Sequence, residues 1–176
     1  NQATGLLPRI ADVQETITPI EGSWNVYFDP RWGGPGKVVF DELIDWTVHA
    51  DTGIRYYSGT VVYHKELNLA MPAQNERLLL RFPRLGSLAR VWVNGKEVVT
   101  VWCSPWEADI TSYVHEGKNN LKIEVVNSLM NRMIGDASLP ESERFTYAYP
   151  QIATPTDKLV PSGIMEQLNL VYRQCQ

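Results

Sequence analysis

Two cysteines, Cys103 and Cys175, are too few for a disulfide framework or a four-thiolate zinc site, because a pair can form at most one bridge. The chain also lacks any apolar run long enough to span a bilayer. Charged residues make up 20% of it against 44% hydrophobic ones, too little charge for a disordered tail. Positive charge is not in excess either. The formal net charge is −4 and the basic residues are scattered, whereas a phosphate-backbone partner needs a clustered basic face. No nucleic-acid partner and no membrane span are therefore expected. The opening residues, NQATGLLPRI, hold no initiating Met and no basic-then-apolar signal pattern, which fits a removed leader or a piece of a longer protein. The second reading is favoured, because VYRQCQ stops just after a strand.

Catalytic signatures are missing as well. There is no G-x-S-x-G elbow, no H-E-x-x-H and no phosphate-cradling glycine loop. His49, His64 and His115 do not have zinc-ligand spacing. No cofactor is expected. Asp51-Thr52-Gly53 is too short for a calcium loop, and a structural calcium held by oxygens from distant loops would leave no trace in sequence.

What the chain has is strand pattern. Its 176 residues suffice for one domain with a substantial core. Residues 1–22, with Pro8, Pro19 and Gly22 and no sustained period, read as an extended lead-in, and residues 23–176 as a single β-sandwich domain. Trp24, Val26 and Phe28 alternate with Asn25 and Tyr27, the period of a strand with one buried face. GTVVYHKELNL and the run from Glu76 to Phe82 read as further strands, and NLKIEVVN alternates Leu121, Ile123 and Val125 with polar residues. Asn94-Gly95, between two runs of β-formers, predicts a two-residue type I′ hairpin, because both central residues of that turn need positive φ. Between Ser128 and Ser162 five residues, Gly135, Pro140, Pro150, Pro155 and Pro161, break up a long irregular excursion, a feature usually functional or packed against something. About eight short strands, without heptads or a useful amphipathic helix, give an all-β antiparallel jelly-roll sandwich.

Four fragments carry a resemblance: YYSGTVVYHKEL, LGSLARVWVNGKEV, VWCSPWEADITSYVHEGKNNLKIEVVNSLMNRMIGD and SGIMEQLNLVYR. In this order they are similar to the galactose-binding-like β-sandwich domains attached to glycoside hydrolases of the family 2 and family 106 type, the latter α-L-rhamnosidase-like. The resemblance implies a galactose-binding domain-like jelly roll with an accessory, carbohydrate-binding role beside a separate catalytic domain of the same polypeptide. It further implies a secreted, periplasmic or extracellular bacterial enzyme of polysaccharide degradation. It supplies no catalytic pair. Where members commonly carry Gly-Pro after the final Ser-Gly turn, this chain has Met165, Glu166 and Gln167, so no contact is carried over there.

Sugar recognition sets the flat apolar face of a pyranose on an aromatic ring and hydrogen-bonds its rim. Trp24 and Trp92 fall within strands and read as packing. Trp32, Trp46, Trp102 and Trp106 lie in or beside loops, where ligand contact competes with loop-anchoring burial. Trp102 and Trp106 flank Ser104-Pro105 ahead of Glu107 and Asp109, a turn that could show a ring beside a carboxylate; alternatively Asp109 caps the following ITSY turn. Arg55, Tyr56 and Tyr57 offer a donor and rings together. Asn131 and Arg132 could present polar groups, or Arg132 could pair with Asp136 to hold the excursion. The candidate carbohydrate-binding set is thus Trp46, Arg55, Tyr57, Trp102, Trp106, Asn131 and Arg132, with a glycan and the catalytic domain as partners. A structural docking domain and a free-standing glycosidase are the alternatives, the latter requiring two carboxylates about 5–10 Å apart.

Overall fold

A computed structural model describes residues 14–148 and 152–175. In chain order the strands are β1 (Glu15–Pro19), β2 (Trp24–Phe28), β3 (Gly36–Phe40), β4 (Thr60–Leu69), β5 (Glu76–Arg81), β6 (Leu88–Val93), β7 (Lys96–Val101), β8 (Glu107–Asp109), β9 (Gly117–Val126) and β10 (Asn169–Gln174). They form two antiparallel sheets, β3-β2-β4-β9-β6-β7 and β1-β10-β5-β8, packed as a sandwich.

The alternation seen in sequence sets the inner faces. Trp24, Val26 and Phe28 of β2, Val61 and Tyr63 of β4, Val91 of β6 and Ile123 and Val125 of β9 point inward and meet Leu78, Leu80 and Leu170 of the smaller sheet. Each fully buried Leu, Ile or Phe of this kind contributes about 1.5–3 kcal/mol. Asn94 (φ 52°) and Gly95 (φ 78°) both take positive φ, and Val93 pairs directly with Lys96, so the predicted two-residue hairpin is present.

The sandwich begins earlier than expected. Residues 15–19, assigned to the lead-in, form β1 and pair with β10. The pattern hid this strand because it is an edge strand with four of its five residues exposed, so no apolar alternation marks it. The rest of the expected lead-in, residues 1–13, lies outside the described residues.

The excursion also holds regular structure. Met130–Asp136 is a seven-residue helix, and Thr52–Arg55 is a single helical turn; they are called α2 and α1 here. Asn131, Arg132, Ile134, Gly135 and Asp136 are all buried, and a helix covered on most sides shows no amphipathic period. Gly135 packs on the Tyr56 ring so closely that a Cβ there would stand 2.7 Å from it.

The register also places the loops. Phe28 pairs with Val61, Thr60 with Val126, Val126 with Leu88, and Ala89 with Val101. The segments after β2, β7 and β9 and before β4 and β6 therefore share one end of the larger sheet. The Asn94-Gly95 turn and the start of β9 share the other.

Candidate functional site

At the loop end, Asp29, Asp45 and Asp51 each start a short helical turn by accepting a hydrogen bond from the backbone N–H two residues on. The Asp45 turn drives Trp46 inward. Its ring is fully buried, donates from Nε1 to Tyr63 Oη at 2.8 Å and meets Phe28 edge-on at 5.3 Å. Gly163 (φ 83°) lies against it, where a Cβ would come 2.2 Å from Nε1. Tyr57 is equally buried, its hydroxyl receiving Asp29 N–H and donating to the Thr60 carbonyl. Both residues were expected at a sugar-binding surface. Neither has a face to offer, because an aromatic in a capped turn has moved into the core.

The other candidates divide. Arg55 donates Nε–H to the His49 carbonyl at 2.9 Å, so this edge of its guanidinium is spent on holding a loop. Asn131 is fully buried and clamps the excursion through the Val160 backbone and the Ser162 hydroxyl. Trp106 packs partly against the core. Trp102 is 69% exposed, and the carboxylates that follow it are committed elsewhere. Asp109 caps Thr111, as the alternative reading had it, and Glu107 joins an ion-pair group. Trp92 lies on the outer sheet face, with the Lys122 ammonium 3.6 Å from its ring centroid. Beyond the final Ser-Gly turn, Gln167 donates its side-chain amide to the Ile20 carbonyl.

That ion-pair group runs across all four strands of the smaller sheet. Glu15 of β1, Arg173 of β10, Arg81 of β5 and Glu107 of β8 form a closed square with N–O distances of 2.6–2.8 Å. Hydrogen bonding from Arg81, and then from Arg173, holds the Glu15 carboxyl below its ordinary range against the opposing effect of burial. Glu15 and Glu107 are each engaged by the same two guanidiniums, which ties the four strands together.

Arg132 is the unusual member of the set. Only 7% of its side chain is exposed, and its Nη1 stands 3.6 Å from Asp136 Oδ1, an ion pair too long to be a hydrogen bond. Asp136 Oδ2 instead accepts from the backbone N–H and hydroxyl of Thr146, which secures the excursion. Among the described residues, Arg132 Nε, Arg132 Nη2 and Asp136 Oδ1 have no hydrogen-bond partner. Burial pushes the guanidinium pKa down, and Asp136 opposes that. The Phe145 ring lies over the guanidinium at 4.9 Å.

Arg132 lines an open cavity of about 480 Å³ walled by Gly33, Asp51, Thr52, Tyr56 and Phe145. Sequence singled out Arg132 and Tyr56 but not Phe145, because nothing local links residue 145 to residues 33 and 51. Trp102 belongs elsewhere on the same end. It follows β7, two strands beyond β9, or about 10 Å across the sheet. Among the described residues, no group of three or more His, Cys, Asp or Glu side chains comes together to hold a metal ion, and no helix is long and apolar enough to cross a membrane.

The two antiparallel sheets form a sandwich with several loops at one end, and the comparisons give the family. Residues 11–173 match the family described as glycosyl hydrolases family 2, sugar binding domain, and the chain belongs to it. A protein of Formosa agariphila named "Putative beta-glucuronidase" is 38% identical over 123 residues, which are 69% of this chain and 11% of that protein. Among solved structures, a rhamnosidase from Novosphingobium sp. PP1Y aligns with a TM-score of 0.85 at 30% identity, over 90% of this chain and 15% of that one. A Ruminococcus gnavus β-glucuronidase shares the fold, with a TM-score of 0.62 at 22% identity, over 90% of this chain and 28% of that one. The chain therefore spans only a small part of each of these enzymes. The family expected from the four fragments and the all-β sandwich are both borne out.

Proposed function

We propose that this chain is a non-catalytic accessory domain of a larger glycoside hydrolase, with its loop end turned toward carbohydrate. The observation that carries the reading is the small share of each relative that the chain spans, 11% and 15%, joined to a loop end that offers an exposed ring and a guanidinium-lined cavity. Aromatic rings supply stacking surface, and buried donors supply orientation. The enzyme would act outside the cytoplasm, in the periplasm or medium, on polysaccharide. Calorimetry of the 176-residue chain against a panel of plant and host oligosaccharides tests the reading; no binding across the panel would overturn the carbohydrate role.

A specific observation favours a second reading, a domain that docks on the catalytic part of its own polypeptide. Trp32, Leu129, Phe145, Tyr147 and Ile152 are exposed on segments belonging to this same end. A grouping of large apolar side chains is the usual sign of a covered surface. In that case, removing the domain from the parent enzyme lowers its thermal midpoint even where no glycan binds; an unchanged midpoint and activity would exclude it.

A further inference from the structure

We propose that the cavity beside Arg132 is a monosaccharide subsite in which Nε–H and Nη2–H of Arg132 grip two neighbouring hydroxyl oxygens of a neutral pyranose. The inference deepens the carbohydrate reading and rests on it. Nε and Nη2 are the adjoining pair of guanidinium nitrogens, and their parallel N–H bonds match two acceptor oxygens set side by side. They are the two nitrogens left without a partner among the described residues, on a side chain more than nine-tenths buried. Leaving buried donors unpaired costs about 1–3 kcal/mol each, more on a charged group, and a ligand that supplies acceptors recovers that cost.

The charges on the walls select the ligand class. Asp136 already stands against Nη1, and Asp51 also lines the cavity, so two carboxylates accompany one guanidinium and a free anion gains little. A polyol suits both sides. Asp51, whose Oδ1 accepts from Gly53 N–H at 2.7 Å, retains lone pairs for sugar hydroxyl hydrogens while the guanidinium donates. The Tyr56 ring provides apolar surface for a sugar face. A volume of about 480 Å³ falls within the range of small-molecule sites.

Phe145 is the cover. Its ring shields the fork and occupies the space beside Gly33, where a Cβ would come within 2.9 Å of it, so the ring turns aside for a sugar to reach the nitrogens.

The test uses the 176-residue chain with methyl glycosides of galactose, glucose and rhamnose, and with sodium glucuronate, read by calorimetry and by the side-chain Nε–H resonance of Arg132. The expected result is that a neutral glycoside binds and shifts this resonance, and that Arg132→Lys weakens binding by about tenfold or more. Should Arg132→Lys fold poorly, Asp51→Asn keeps the cap on α1 and is expected to weaken binding about threefold to tenfold. Binding that leaves the Arg132 resonance unmoved and vanishes in Trp102→Ala overturns the subsite but leaves the carbohydrate reading standing. Binding of glucuronate alone overturns the neutral-sugar assignment, no binding of any of these ligands overturns the subsite, and no binding across the oligosaccharide panel as well overturns both.

Discussion

At the start of β9 the buried side chain of Asn119 has its capacity filled. Its Oδ1 accepts from His115 N–H and from Asn94 Nδ2, and its Nδ2 donates to the His115 and Gly117 carbonyls. Beyond the far end of the same strand Arg132 is buried to a similar degree, yet two of its nitrogens and one oxygen of its carboxylate partner have no hydrogen bond among the described residues. The first arrangement is finished: the amide donors hold the His115–Gly117 turn, and Oδ1 ties that turn to the Asn94-Gly95 hairpin. The second keeps donors in reserve, which stability alone does not favour, since buried polar groups are ordinarily satisfied. The difference separates a polar cluster with its hydrogen bonds closed from the one that the proposed subsite draws on.

The contrast can be broken or sharpened by substitution. Asp136→Ala should have the largest effect, a loss of about 3–5 kcal/mol in urea unfolding, because it leaves a buried guanidinium uncompensated. It also releases the Thr146 hydrogen bonds. A loss below 1 kcal/mol would show that water already reaches Arg132, and the contrast would collapse. Asn119→Ala should cost about 2–4 kcal/mol by the same measurement, as the four hydrogen bonds of a buried amide go. It should leave sugar binding unchanged, which separates the two ends by function as well as by energy.

The ion-pair square on the smaller sheet gives a pH test. The Glu15 carboxyl is lowered in the folded state, so its contribution is present above the ordinary carboxylate value of 4.5 and is lost as pH falls through the lower folded value. Wild type should exceed Glu15→Gln in urea midpoint at pH 7, and the gap should narrow as pH falls below 4.5 and through the lower folded value; a constant gap would show that the square contributes packing rather than charge. The smallest change is expected from Trp102→Ala, within about 0.5 kcal/mol of wild type in stability, because the ring is mostly exposed. A large loss there would place Trp102 in the fold.

Where the information is local, sequence showed it. The Asn-Gly hairpin and the alternating strands β2, β4 and β9 needed only neighbours two residues away. Trp46 and Tyr57 were misjudged because a loop aromatic looks the same whether its turn points out or in. What decides is contact with Tyr63, Asp29 and Gly163, which are distant in sequence. The cavity was hidden for the same reason, since Gly33, Asp51, Arg132 and Phe145 meet only after four separate segments fold. Arg132 was named as a candidate, but its unpaired nitrogens were not foreseeable, because absence of a partner is a property of the assembled whole.

Strand β1 matters for how force enters the molecule. Glu15 pairs with Arg173, so the polypeptide comes into and leaves the sandwich at one corner, side by side on antiparallel strands. Tension between flanking segments would peel β1 from β10 one hydrogen bond at a time rather than shear all of them together. The Gln174 N–H to Gln14 carbonyl hydrogen bond, 3.0 Å, would open first, and the Glu15–Arg173 ion pair, with N–O 2.6 Å, next.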